Sequence, residues 1–228
     1  MIYFNKSVSV DKANDAFDYW FNMLTSDMEI EESRDGNVVG EIINAVTVIK
    51  DPTRNICDGT RKMNMRYAIG EMLWYNSGNN NLKAIQNITH AWDRMSDDGE
   101  TVNSNYGYCI EYKYGFNQWQ YVYDMLKENP NSRQAVIHIK TADDKSSKDV
   151  NCTVCLQFFI RDGKLYLTTY MRSNDLWMGF PYDVFQFTCM QITLAMQLGV
   201  EVGTYTHIAG SLHLYARNLR DKSLRDKE

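Results

Sequence analysis

Four short segments carry residue types that do chemistry when they meet. Cys152 and Cys155 are spaced C-x-x-C. A redox pair of that spacing opens a helix after a strand, whereas a strand-like stretch follows here. A zinc site needs a second ligand pair at suitable spacing, and none is present. Cys155 lies inside an apolar run and is expected in the core. Cys152 precedes that run in the polar context Asp149-Val150-Asn151-Cys152-Thr153. It is either a nucleophile or a buried free thiol of the ordinary kind. The second segment, Tyr170-Met171-Arg172-Ser173-Asn174-Asp175, ends a strand with an Arg beside short polar side chains. Such a group can clamp a phosphate with two parallel hydrogen bonds, or merely close a solvated loop. In the third, Gly179-Phe180-Pro181-Tyr182-Asp183, Pro181 fixes a turn and Asp183 sits where a helix N-cap is expected. In the fourth, Gly210 to Tyr215, His213 and Tyr215 point to one side of a strand; a lone strand histidine is usually structural.

Elements must position these groups. Ala13, Ala16, Phe17, Trp20, Phe21 and Leu24 recur at helical spacing. A β-branched run from Val38 to Ile49 predicts a strand. Arg66 to Tyr75 predicts a buried helix, and the polar stretch Asn76 to Asn81 a loop. Trp119, Val122, Tyr123 and Leu126 form a further helical stripe, stopped by Asn129-Pro130. Gln134 to Lys140 predicts a strand. Cys155 to Ile160 and Lys164 to Tyr170 predict two more, joined at Arg161-Asp162-Gly163 as a hairpin. Asp183 to Leu198 predicts a long apolar helix with Gly199 at its end. Strands and helices interleave irregularly, which predicts α/β or α+β with a mixed sheet. No repeat, low-complexity tract or Pro/Ser linker divides the chain, so residues 1–228 are expected to form one domain.

Composition excludes several classes. The 228 residues carry 5 Trp, 15 Tyr and 9 Phe, too many aromatics for a disordered chain. A net charge of -5 argues against a protein that coats nucleic acid, although a local arginine cluster could still hold a small anion. The start, MIYFNKSVSV, has neither the charged segment nor the apolar run of a signal peptide, and no window is apolar enough for a membrane span. Five cysteines at irregular spacing make a poor disulfide framework, so a reducing cytoplasm is expected.

Taken together and in order, the segments resemble the thymidylate synthase superfamily. Within it they look most like the bacteriophage deoxycytidylate hydroxymethylases. Cys152 precedes Gln157-Phe158 by five residues, as the family's nucleophile precedes its Gln-aromatic pair. Arg172-Ser173-Asn174-Asp175 matches Arg-Ser-x-Asp. Gly179-Phe180-Pro181-Tyr182-Asp183 matches Gly-x-Pro-aromatic-Asn/Asp. His213-Leu214-Tyr215 matches His-x-Tyr. Upstream, Glu71-Met72-Leu73-Trp74 matches the Glu-Leu-x-Trp helix, Asn105-Tyr106-Gly107 the Tyr-Gly segment, and Asn129-Pro130-Asn131-Ser132-Arg133 Asn-Pro-Asp-Ser-Arg. Arg34-Asp35-Gly36 aligns with the N-terminal Arg-x-Gly loop. The chain departs from thymidylate synthases at Asn151-Cys152-Thr153 (Pro-Cys-His there), Gln134 (a second Arg), Asp183 (Asn), Ser211 (Asp) and the charged end Lys222 to Glu228 (a short apolar tail).

The resemblance implies an α+β thymidylate synthase-like fold: a large mixed sheet, flanking helices, and a homodimer packed through the sheet. It implies transfer of a one-carbon unit from 5,10-methylenetetrahydrofolate, with no metal, to C5 of dCMP. Water addition then gives 5-hydroxymethyl-dCMP and tetrahydrofolate. Cys152 would add to C6 of the base, with its pKa lowered by Arg172. Glu71 would order water and protons, Tyr106 would position groups, and Asp183 would read the base. Substrate contacts would come from Arg34, Gln157, Arg172, Ser173, Asn174, Asp175, His213 and Tyr215, with Arg133 reaching the phosphate across the dimer. Trp74, Asp175 and Gly179 would face the folate. The implied setting is nucleotide biosynthesis for DNA modification in the cytoplasm, a host's if the source is viral, with no direct contact to nucleic acid or membrane. Three other readings remain: the same reaction on CMP, a pyrimidine nucleotide C5-methyltransferase of the thymidylate synthase type, and a degenerate nucleotide-binding homologue.

Overall fold

The first apolar stripe does form a helix, and burial explains why. In α1 (Ala13–Thr25) the six stripe residues are buried, and Trp20 donates its indole N–H to Thr47 Oγ1 at 2.8 Å. That bond ties the helix to β3 (Gly36–Ile49), the β-branched run. Our computed structural model describes residues 2–26, 31–33, 36–142 and 147–219, without side chains for 31–33 and 36–39. Arg34 and the charged segment Lys222 to Glu228 lie outside the described residues.

An N-terminal strand, β1 (Ile2–Val10), precedes α1 and pairs parallel with β3. The sequence analysis does not anticipate it, because its residues alternate weakly and most are exposed. A short β2 (Glu31–Ser33) pairs antiparallel with β3. β4 (Val136–His138) is shorter than the stretch predicted. β5 (Thr153–Arg161) and β6 (Lys164–Met171) form the expected hairpin, with Asp162 and Gly163 at φ of 49° and 72°. Both turn residues have positive φ, which suits the right-handed twist of the strands. The two-residue β7 (Asn174–Asp175) pairs with the long β8 (Glu201–Tyr215). The eight strands make one mixed sheet with the path β1-β3-β8-β6-β5-β4.

The helices fill one face of this sheet. α2 (Met65–Asn76) is amphipathic, not wholly buried as predicted: Ala68, Glu71, Trp74 and Tyr75 point inward while Ile69 and Leu73 are exposed. α3 (Leu82–Gln86) and α4 (Tyr106–Glu111) are short, and α5 (Gln118–Glu128) is the stripe that ends before Pro130. Gly107 lets α4 press on α2. A Cβ there would lie 1.6 Å from the Tyr75 carbonyl oxygen, so no other residue permits this approach. α6 (Phe180–Leu198) ends at Gly199, φ 69°, and with α1 it covers the sheet. The opposite face is less covered. Cys155, Gln157, Phe159, Tyr166, Thr168 and Thr206 are only partly buried there. Cys155 is therefore not a core residue: it alternates with Leu156, and Leu156 takes the inward position.

Candidate active site

The site forms where the end of β6, the start of α6 and the inner face of α2 converge. Cys152 is half-buried in the turn leading to β5, and its carbonyl accepts from the Arg172 backbone N–H at 2.8 Å. The Arg172 side chain straps the same turn: Nε donates to Asn151 O at 3.1 Å and Nη2 to Val150 O at 2.7 Å, while the residue stays exposed. Its charge pulls the Cys152 pKa down, as expected, but does not prevail. Burial pushes the thiol up, and the Asp183 and Asp149 carboxylates add to that. At neutral pH Cys152 is therefore a thiol.

Asp183 is not an N-cap. α6 begins three residues earlier, with Gly179 at the cap position and Pro181 in the first turn. The Asp183 carboxylate turns instead into the site. Oδ2 accepts from Asn174 Nδ2 at 2.8 Å, and Oδ1 accepts from the Tyr106 hydroxyl at 3.2 Å. Thr153, where thymidylate synthases carry His, donates to the Tyr106 oxygen at 2.8 Å. A Cβ on Gly179 would stand 2.9 Å from Asn174 Nδ2 and 3.1 Å from Asp183 Oδ2, so glycine here makes room for that pair. Burial, and then the charge of Glu71, pushes the Asp183 carboxyl up to about 7.

Glu71 lies on the inner face of α2. The Tyr67 hydroxyl donates to Oε1 at 2.5 Å and Gln186 Nε2 to Oε2 at 3.5 Å. Burial raises its carboxyl to about 7 against these bonds. The structure thus gathers two carboxyls poised near neutrality, one thiol and one arginine, a set suited to covalent and acid–base chemistry.

The poise of Glu71 has a measurable sign. Its folded pKa lies above the value of about 4.5 expected unfolded, so the folded state holds the extra proton between about 4.5 and 7. Stability is therefore lost as pH rises through that window. Glu71→Gln is expected to flatten the curve of Tm against pH, with its largest relative gain above pH 7. Parallel curves for wild type and variant would refute a buried neutral Glu71.

His213 and Tyr215 meet edge to face at 5.0 Å, on one side of β8 as expected. Ser211, where the family carries Asp, donates its hydroxyl to Glu41 Oε1 and lies 3.3 Å from His213 Nδ1. A carboxylate from β3 thus reaches toward the histidine through Ser211. Burial lowers the His213 pKa, opposed by Asp175 and Glu41. Asp175 accepts from the backbone N–H groups of Trp177 and Met178 at 2.8 and 3.0 Å, fixing the turn before α6. Ser173 is half-buried between Arg172 and Asn174.

Other predicted residues stand apart. Gln157 lies on the far face of the sheet and donates to Arg133 O at 2.9 Å. Arg133 is exposed in the loop after α5. Trp74 is buried, with ring centroids 5.5 Å from Tyr75 and 5.4 Å from Trp92, so its indole supports the wall from within. The residues that sequence reasoning missed are Thr153, Gln186, Glu41, Tyr205 and His207. The last two form the same pair in reverse order, Tyr205-x-His207, eight residues earlier on β8.

The thymidylate synthase family profile matches residues 24–225. The chain belongs to the thymidylate synthase family. Its α+β architecture, a mixed sheet flanked by helices, is that family's fold. Over 177 residues the chain is 30% identical to a thymidylate synthase of Bacillus licheniformis, covering 74% of this chain and 63% of that protein. Over 169 residues it is 30% identical to thymidylate synthases of Bacillus subtilis subsp. natto and of Bacillus phage phi3T, covering 70% of this chain and 61% of each. It therefore spans less than two thirds of the length of these relatives. Among the described residues no group of three or more His, Cys, Asp or Glu side chains could hold a metal ion, and no helix is long and apolar enough to cross a membrane.

Proposed function

We propose that this chain is a deoxycytidylate 5-hydroxymethyltransferase. It converts dCMP, 5,10-methylenetetrahydrofolate and water to 5-hydroxymethyl-dCMP and tetrahydrofolate. The observation that carries this reading is Asp183: a carboxylate stands where the family's thymidylate synthases place Asn, and Asn174 and Tyr106 hold it at the base site near Cys152. Cytosine presents an N4 amino donor, which a carboxylate accepts. Cys152 adds to C6 of the base, so C5 becomes enamine-like and attacks the one-carbon unit. Loss of the C5 proton then expels tetrahydrofolate and leaves an exocyclic methylene; water adds to it as hydroxide, and the Cys152 thiolate leaves C6, restoring the ring double bond. Glu71, half-protonated near neutrality, positions that water and relays a proton. Arg172 meets the phosphate at its exposed edge; His213 and Tyr215 hold the sugar 3′-hydroxyl. Asp175 and Gly179 line the side where folate stacks.

The decisive experiment is product analysis with dCMP, CMP or dUMP plus methylenetetrahydrofolate. Hydroxymethylated dCMP without dihydrofolate is the expected outcome. A methylated product with dihydrofolate, followed by absorbance, would instead establish the second reading, a C5-methyltransferase, which the relatives' names favour.

The partly exposed far face of the sheet supports a homodimer packed there, with Arg133 completing the partner's phosphate site. Arg133→Ala and Cys152→Ala are each expected to be inactive alone. A mixture of the two should regain activity after subunit exchange, because one of the two sites in a mixed dimer is then intact. Absence of recovery, with exchange proven by mass, would place Arg133 outside the shared site.

A further inference from the structure

A buried chain of hydrogen bonds runs from the sheet to Asp183. Tyr205 and His207 lie two apart on β8, so both face the core, and both are essentially inaccessible. The Tyr205 hydroxyl is 2.8 Å from His207 Nδ1. His207 Nε2 is 3.1 Å from Asn174 Oδ1, and Asn174 Nδ2 reaches Asp183 Oδ2 at 2.8 Å. Phe180, at the start of α6, packs edge-on against the imidazole at 5.3 Å.

The donors and acceptors in this chain are interdependent. An ionised carboxylate only accepts, so Asn174 must turn its NH2 to Asp183. Its oxygen then faces His207, which must carry its proton on Nε2. Nδ1 is left as an acceptor, and Tyr205 must donate to it. Protonated Asp183 permits the reverse: it donates to Asn174, the amide flips, and His207 carries its proton on Nδ1. Burial holds His207 neutral, down to a pKa of about 3, and pushes the Tyr205 pKa up, so neither changes charge in the working range. Only the direction of the chain is variable.

We propose that Tyr205 and His207 are positioning residues for base selection: the Tyr205 hydroxyl, donating to Nδ1, stabilises the histidine proton on Nε2, which sets the Asn174 amide and supports Asp183 as an ionised acceptor facing the base. The inference rests on the reading of Asp183 as the group that meets the base. It adds that selectivity depends on groups that touch neither nucleotide nor folate. The other titratable groups facing Asp183 are Glu71, Tyr67 and Tyr75 from α2, Tyr106 from α4, and Cys152 ahead of β5. Among these Glu71 opposes ionisation most, so the amide of Asn174 acts against it.

The test needs no turnover. In ligand-free protein labelled at histidine with ¹⁵N, His207 is expected as the Nε2–H tautomer at pH values above the Asp183 midpoint. In protein labelled with ¹³C at the aspartate carboxyls, Tyr205→Phe is expected to raise the Asp183 midpoint by about half a unit or more. The same variant should lower the preference for binding dCMP over dUMP by about fivefold in calorimetry, the loss expected of one neutral hydrogen bond. His207→Gln, whose amide can donate to Asn174, should keep most of that preference, and His207→Leu should lose it. An Nδ1–H tautomer in the wild type above that midpoint would overturn the inference. So would an unmoved Asp183 midpoint with equal weakening of both nucleotides, which is what a purely structural role produces. Failure of the functional reading is distinguishable: wild type would then show no preference for dCMP, while the tautomer and the carboxyl midpoint would still decide the positioning role.

Discussion

Cys152→Ala is expected to abolish turnover while nucleotide affinity stays within a few-fold of wild type. The thiolate acts by bonding to C6, and removing a covalent nucleophile costs on the order of 10⁴-fold or more in rate. Binding rests on other groups, so calorimetry with dCMP should still report a complex. The raised Cys152 pKa keeps the group a thiol at neutral pH, so the nucleophile must lose its proton before it adds to C6. Iodoacetamide should accordingly alkylate Cys152 slowly near neutrality and faster as pH rises. Cys155 is the control. It sits on the far face of the sheet, partly exposed and bonded to nothing in the site, so Cys155→Ala should leave kcat unchanged. A dead Cys155→Ala beside an active Cys152→Ala would overturn the assignment of the nucleophile.

The second large effect is expected at Asp183. Uracil presents an N3–H donor beside an O4 acceptor, which an Asn amide matches. Cytosine presents an N3 acceptor beside an N4 donor. An ionised Asp facing O4 of uracil sets acceptor against acceptor and leaves buried polar groups without partners. Mismatches of that kind discriminate by roughly 10⁴. Asp183→Asn is therefore expected to lose activity on dCMP and gain it on dUMP. The helix does not confound this, since Gly179 and not Asp183 occupies the cap. An Asn at 183 can still accept from Asn174, so the scaffold should hold; matched melting curves would check that. Unchanged preference for dCMP in a stable variant would leave the proposed substrate without support.

Much of this was legible in the chain, and periodicity explains which parts. α1, α5, α6 and the β5–β6 hairpin were readable because their apolar residues repeat at 3.6 or 2 and their stops are local: Pro130, Gly199 and the Asp162-Gly163 turn. β1 was not readable, because an edge strand paired through its backbone needs no apolar alternation. The start of α6 was misplaced because a Pro and a Gly can open a helix as well as an Asp can.

The site divides the same way. Residue type and spacing alone singled out Cys152 and Arg172, while Glu71, Tyr106 and the reading of Asp183 as a base contact came from the resemblance to the thymidylate synthase superfamily. What they do to one another is long-range and belongs to the tertiary structure. The thiol is raised and not lowered because burial outweighs one exposed arginine. Asp183 faces Asn174 and Tyr106 because α6 begins at Phe180 and turns it inward. Ser211 acquires a carboxylate from Glu41 because β3 and β8 lie side by side. Tyr205 and His207 reach Asp183 only through Asn174, across sheet and helix. Chain order settles which chemical groups are present and how they follow one another. Which of them are dehydrated, which are paired and which way their hydrogen bonds run was decided by packing, since burial and contact between residues far apart in the chain exist only once it has folded.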